Sequence, residues 1–533
     1  MAVDTFQGGS GGAWQNAGNW TGGVPTSTSD VVIPAGNLLV VSNDFASANT
    51  IMVGAGSELE VTFPGTFNDI NASSAFGTFG FVDVVNADFV IGNGIYNNSG
   101  TFQLDSSSQF FESRLLIGGN VTFEGAGQIN FHISGAGDAG SNQITSQGGI
   151  ATLTDIDNLI FGSGSILGIN FINKTTVETG VTGTLIIWGD AGGGSFNNQN
   201  LLQADEGGTL ILGNGADNAH IVNTGTIELN ESGTGLKTKM EIAGSVEIDG
   251  AGGGQIVLSG PSSTNNTIVS NGTLATLTLN GGELTGVGSI GDANLTLNLK
   301  NFLVEETKVQ LFVAAASTTI DADSKMEATN GGEIFIQGPV TNSGIINVLT
   351  GGEIFLSSTI TNQGNGSIFI GPGGTLSLVG SGEINGIVQF TGAGATLAVS
   401  ADHHISNSIQ GTVSGDSFDL TYEPFQSGLQ AVWQPAGIAG TLFLEKNGTI
   451  LTTVSLLGQY TSSDFSVAQD ANGNTLIKDI AAPSLSSLSS EDLVSEVYIG
   501  YYNRAPDQGG MSFWLNSMAN GATLTQGNCP GEC

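Results

Sequence analysis

The chain has 533 residues, 39% of them hydrophobic and only 11% charged, with 83 glycines against 11 prolines. It is too apolar to be a disordered chain and has no strict Gly-X-Y period to make it collagen. Its 47 acidic residues face 10 Lys plus Arg, a net charge of −37 that repels phosphate backbones and anionic lipid, so nucleic acid is not expected as a partner.

What remains is an all-β protein with many tight turns, because glycine supplies the positive-φ positions that turns demand. Divalent cations, calcium foremost, are the natural counter-ions of such a surface. Cysteine occurs only at Cys529 and Cys533, so no disulfide framework holds the fold. A terminal C-x-x-x-C alone is a weak metal or pairing signal. The opening MAVDTFQGGSGGAW has neither a basic n-region nor an apolar h-region, which points to export by a signal-peptide-independent route. No apolar run approaches the roughly 18 residues of a membrane span.

Residues 1–34 read as an N-terminal cap. Trp14 and Trp20 precede a proline turn and the apolar run Val31-Val32-Ile33. A first coil left open would expose a pairing edge and an uncovered core, so bulky residues there are expected to cap. Sugar stacking on either ring is the weaker reading. The segment resembles the opening of many bacterial surface β-solenoids.

Residues 35–402 read as a right-handed parallel β-helix, a solenoid of repeated coils. N-S-G-T-F-Q-L at 98–104 returns as N-T-G-T-I-E-L at 223–229, an offset of 125 at which Arg114 also meets Lys239, Ile117 meets Ile242 and Gly119 meets Gly244. A-T-L at 151–153 and G-S-I at 164–166 return at offset 124. A register held over so many positions marks a duplicated unit, about 90–190 and 212–313. A shorter step of 20 to 22 residues joins Gly331, Gly351 and Gly373, each opening an apolar triplet. One such coil cannot bury its own apolar face, and stacking coils at about 4.8 Å supplies the core. Asn98, Asn198, Asn223, Asn342 and Asn362 recur just before strands. Asparagine suits tight corners, and stacked side-chain amides are the expected role there, ahead of ligand binding.

Residues 403–482 change character and read as a β-rich terminal module, with hairpins at Asn447-Gly448 and Asn472-Gly473. This stretch resembles the terminal β-module of large repetitive adhesins and hemolysin-type secreted proteins of Gram-negative bacteria. Past the linker after Pro483, Ser490 is a candidate N-cap, and Leu493, Val497 and Tyr501 share a helical face. The core formed by Arg504, Ala505, Pro506, Asp507, Gly510, Met511 and Trp514 resembles a small helical domain of unassigned function appended to RTX-type and other bacterial surface proteins. Residues 483–533 are therefore expected to be a linker and part of that domain.

Parallel β-helices also carry pectin- and alginate-active enzymes, which rely on Arg or Lys to hold uronates. Here the cations are Arg114, Arg504 and eight thinly spread lysines, and the net charge opposes a polyuronate substrate. His132, His220, His403 and His404 do not fall at metal-ligand spacing. Asp155 and Asp157 have a spacing that would place two carboxylates on one strand face, but in so acidic a chain solvated surface is the default. The nonapeptide calcium signature of RTX repeats is absent. The expectation is an extracellular structural or adhesin-like protein of a Gram-negative cell surface, exported by a type I or related pathway and facing cell-surface glycans or host and matrix surfaces. Polysaccharide binding or degradation is the alternative, and no catalytic set is assigned.

Overall fold

A computed structural model describes residues 3–480, apart from 43, 73–76, 189–193, 217, 251, 308, 381–382, 401–403 and 406–408, together with 494–495 and 508–519. By contacts the chain divides into two units, Met1–Leu297 and Asn298–Cys533. Both are parallel β-solenoids in which each coil contributes strands to three stacked ladders.

One coil of the first unit shows the plan. Strand Thr101–Ser108 leads to Ser113–Ile117 and then Asn120–Glu124, and the next strand, Gln128–Ala136, lies parallel on the first with Thr101 beside Gln128. Side chains alternate in and out along each strand, as pleating requires, so one residue in two faces the core. Stacking then lines those residues up. Leu59, Val82, Phe102, Ile129 and Ile160 sit in register on successive coils, and the column continues through Val177 and Leu202 to Ile256 and Leu284. All are at most 1% exposed. Each such side chain removed from water is worth about 1.5–3 kcal/mol. No coil has a core of its own, so this stabilisation belongs to neighbouring pairs of coils.

The 125-residue duplication is five coils long. The register runs from Thr101 to Gln128, Leu159, Thr176, Leu201 and Thr226, and Thr226 is the sequence equivalent of Thr101. The strands after it restart the same series, Thr226–Asn230, Thr238–Ile242 and Ser245–Asp249. The copies share particular contacts too. Asn142 donates to the carbonyls of His132 and Ser163, at 2.8 and 3.2 Å. Its counterpart Asn266 donates to those of Ser259 and Val287, at 2.8 and 3.4 Å.

The second unit has shorter, more even coils. Glu333 pairs with Glu353, Glu353 with Thr375, and Thr375 with Thr396, which is the 20-to-22-residue step. Its inward column runs Leu311, Ile334, Ile354, Leu376, Leu397 and Phe418. The corner before each strand turns at Gly331, Gly351, Gly373, Gly394 and Gly415, all with φ between 67° and 105°, a region that L side chains occupy at a cost.

Both ends differ from the middle. At the start, Val3–Thr5 and Asp30–Ile33 already pair in a ladder, so segment 1–34 contributes strands as well as covering residues. At the far end Ser417–Pro424 is parallel to Thr396–Val399 on one side and antiparallel to Asn474–Asp479 on the other. A three-stranded antiparallel meander, Leu429–Ala436, Ala439–Lys446 and Thr449–Leu457, accompanies it. Its second turn is Asn447-Gly448, both at positive φ (51° and 78°), the geometry of a two-residue hairpin. Asn474–Asp479 occupies the edge of Ser417–Pro424 on which a further parallel coil would pair, so this ladder ends there. A helix occupies Gln508–Ala519.

Candidate functional site

The recurrent asparagines lie inside the solenoid wall. Asn98, Asn198, Asn223 and Asn342 are at most 1% exposed. Asn173 Nδ2 donates to Asn198 Oδ1, and Asn198 Nδ2 to Asn223 Oδ1, each at 2.8 Å. Each donor hydrogen left over goes to a backbone carbonyl of the following coil, Leu201 for Asn173 and Thr226 for Asn198, both at 2.9 Å. Asn342 Nδ2 meets Asn362 Oδ1 at 2.9 Å in the second unit. Asn98 is bonded instead to Asn158 Oδ1 at 3.0 Å, because residues 155–158 interrupt the simple stack. Most of these amide groups bond one another or the corner carbonyls, Asn98 Oδ1 and Asn362 Nδ2 being buried without a partner, and the buried members offer no surface to a ligand.

Asp155 belongs to this ladder, in register with Asn173. It is fully buried and its Oδ1 accepts from the backbone and side chain of Asn158, both at 3.2 Å. Burial pushes its pKa up to about 7 despite those hydrogen bonds. Asp157 lies in the exposed turn, where Oδ1 accepts from the Ala126 amide at 3.0 Å. The strand ends at Asp155, so the two carboxylates do not share a face; Asp157 is solvated as expected, whereas Asp155, expected at the solvated surface, is in the core.

The tryptophan pair is also interior. Trp14 and Trp20 are 1% and 5% exposed, packed edge to face at 4.7 Å, with Trp20 Nε1 donating to the Trp14 carbonyl at 2.8 Å. Trp14 rests on Phe67 at 5.0 Å, and the aromatic contacts continue to Phe89 and Phe102. Neither ring presents a face to a sugar. His132 pairs with Asp105 at 3.2 Å and His220 with Asp249 at 3.9 Å. Among the described residues no group of three or more His, Cys, Asp or Glu side chains is placed to hold a metal ion, and no helix is long and apolar enough to cross a membrane. Gly510, Met511 and Trp514 lie on the C-terminal helix. Arg504, Ala505, Pro506, Asp507, Leu493, Val497, Tyr501, His403 and the two cysteines fall outside the described residues.

One exposed constellation was not singled out by sequence. A cleft of about 420 Å³ opens between the turns at 63–66, 86–88 and 109–114. Phe63, Phe110 and Phe111 stand 53%, 82% and 43% exposed at it, with the Phe63 and Phe111 rings 4.6 Å apart. Beside them Arg114 makes a forked pair with Asp88, at 2.7 and 2.8 Å, and reaches Glu112 at 3.0 Å. The Asp88 hydrogen bonds hold the guanidinium pKa above its ordinary value. The frame is hydrogen-bonded as well. Ser106 Oγ donates to the Phe111 carbonyl at 3.1 Å, and Asn86 Nδ2 donates to Ser107 Oγ at 2.7 Å. The signal in the sequence was adjacent Phe110-Phe111 in a turn, where apolar rings have no packing reason to sit.

Comparison with known proteins identifies no family, since no family model, no curated protein and no solved structure matches the chain. The class it belongs to rests on its own architecture, a parallel β-solenoid.

Proposed function

We propose that the chain is an extracellular structural or adhesin-like element, displayed on or released from a Gram-negative bacterium and exported by a type I or related pathway. The observation that supports this most is the unbroken inward column from Leu59 to Leu284 in the first unit. A fold that grows by adding equivalent coils gains reach without needing a new core, and duplication of a five-coil block is how such reach is extended. Its outer rows mix Glu, Asp, Gln, Asn and Thr with apolar residues such as Ile211 and Val257, and the large excess of acidic over basic residues gives a surface of one sign that keeps such molecules apart.

A glycan-binding reading stands beside this one because of the aromatic cleft. A degradative reading has no comparable support, since the one carboxylate pair that sequence suggested is split between core and turn.

Immunogold labelling of intact producing cells, with fractionation of medium, envelope and cytoplasm, tests the display reading. Label on the surface or chain in the medium is expected. Confinement to the cytoplasm overturns it.

A further inference from the structure

We infer that the cleft framed by Phe63, Phe110, Phe111, Asp88, Glu112 and Arg114 is a binding site for a neutral hexose oligosaccharide. The inference deepens the glycan-binding side of the proposed function and rests on it for its biological sense.

The first support is the contrast between the two copies of the duplicated unit. At offset 125, Phe110 corresponds to Gly235, Phe111 to Leu236 and Glu112 to Lys237. The surrounding frame is the same in both: the strand that follows is Ser113–Ile117 in one copy and Thr238–Ile242 in the other, and its first residue is a fully buried hydroxyl in each. The corner therefore closes without aromatic residues. Phe110, 82% exposed, contributes nothing that the fold requires, and an exposed ring costs solubility unless something covers it.

The second support is the chemistry. Aromatic faces beside fixed hydrogen-bonding groups suit a ligand with one apolar face and a rim of hydroxyls, because the ring's negative face attracts the sugar's C–H edges. Two carboxylates supply acceptors to hydroxyls. Arg114 is committed to both carboxylates, so the cleft carries one net negative charge inside a strongly acidic molecule. A uronate, sulfate or phosphate meets repulsion there, and a neutral sugar does not. The size falls in the roughly 300–1,000 Å³ range of small-molecule clefts.

The half-buried aromatic row Phe312, Phe335 and Phe355 does not share this logic. Its rings stack on one another at 4.5 and 4.3 Å with angles of 9° and 2°, so their faces are already occupied.

The test is isothermal titration of the purified full chain, at physiological salt, with neutral hexaoses of β-1,4-glucan, β-1,3-glucan, mannan and galactan, and with hexagalacturonate. At least one neutral hexaose is expected to bind. Phe110→Ala and Phe111→Ala are each expected to weaken it by about tenfold or more, equivalent to about 1.4 kcal/mol. Leu274→Ala, which removes an equally exposed apolar side chain (82%) many coils away from the cleft, leaves binding unchanged, and equal melting temperatures show that all three variants fold. No binding of any neutral hexaose, binding of hexagalacturonate alone, or wild-type affinity in both cleft variants overturns the inference. Surface display without sugar binding sinks this site and leaves the display reading standing. Sugar binding by a cytoplasmic chain does the reverse.

Discussion

Asn198 Nδ2 donates to Asn223 Oδ1 at 2.8 Å across one full coil, and the same Asn198 accepts from Asn173 Nδ2 on the coil before, also at 2.8 Å. Three residues spaced 25 apart thus form a single buried amide stack. Its value lies in what an interruption leaves behind. Asn198→Ala strips the donor from Asn223 Oδ1 and the Thr226 carbonyl and leaves Asn173 one acceptor short, all out of reach of water. Each of the three buried polar groups left unsatisfied costs about 1–3 kcal/mol, so a loss of at least about 3 kcal/mol is expected in urea unfolding. Asn130→Ala, on the outer face where Nδ2 meets Gln103 Oε1 at 3.1 Å, is expected to cost less than about 1 kcal/mol. Equal losses in the two variants would show that the stack has no special weight.

Asp155 occupies a position in that ladder with the wrong chemistry for it. Its folded pKa, about 7, lies above the roughly 3.9 of an unfolded aspartate. The folded state therefore binds the proton more tightly than the unfolded state does. Its contribution is fully present below about pH 4 and is lost as pH rises through about 7. Asp155→Asn removes this dependence and offers an Nδ2 towards Asn173 on the pattern of the neighbouring rungs. The variant is expected to match the wild type near pH 4 and to exceed it by about 2–4 kcal/mol at pH 8.5. A pH-independent difference between the two would refute the assignment. Asp83, pushed up to about 6 mainly by burial, titrates in both proteins and cancels in the comparison.

The solenoid was legible because its determinants are local and repeated. G-G-E-I-F at Gly331 and Gly351 carries a corner and an inward-outward alternation together, and a period of 20 to 22 can close only as coils. The asparagines were legible for the same reason, since turn chemistry and stacking act on neighbours fixed by the repeat. The Asp155–Asp157 relation was not legible, because spacing alone does not say where a strand ends. Nor was the cleft, whose walls come from turns about 20 residues apart in sequence. Only the three-dimensional stacking of coils brings Phe63 to Phe111 and Asp88 to Arg114.

Trp14 closes the open end of the first unit's core, with Phe67 5.0 Å below it. Trp14→Ala uncovers that ring and leaves a void that the stiff coils beneath cannot collapse into. A loss of about 3–5 kcal/mol is expected for deleting so large a buried side chain. An uncovered end also presents unpaired strand edge, so the variant is expected to elute as larger species in size-exclusion chromatography. Trp188→Ala, at a ring 36% exposed on the outer face, is the comparison. Monomeric behaviour and an unchanged melting temperature in Trp14→Ala would remove the capping role.

The duplicated block makes a prediction that a single copy cannot. Asn142 and Asn266 are both fully buried and each bonds two carbonyls at equivalent positions of its own copy. If the copies are equivalent as coils, Asn142→Ala and Asn266→Ala remove the same interactions from the same surroundings. Their costs should agree within about 0.5 kcal/mol, and the double variant should show their sum, because sites in separate coils without shared partners are additive. The longer Asn266 bond to Val287, 3.4 Å against 3.2 Å from Asn142 to Ser163, sets the direction of any residue of difference, with Asn142→Ala the costlier. A gap of 2 kcal/mol or more would mean that the copies have diverged in packing as well as at their surface turns.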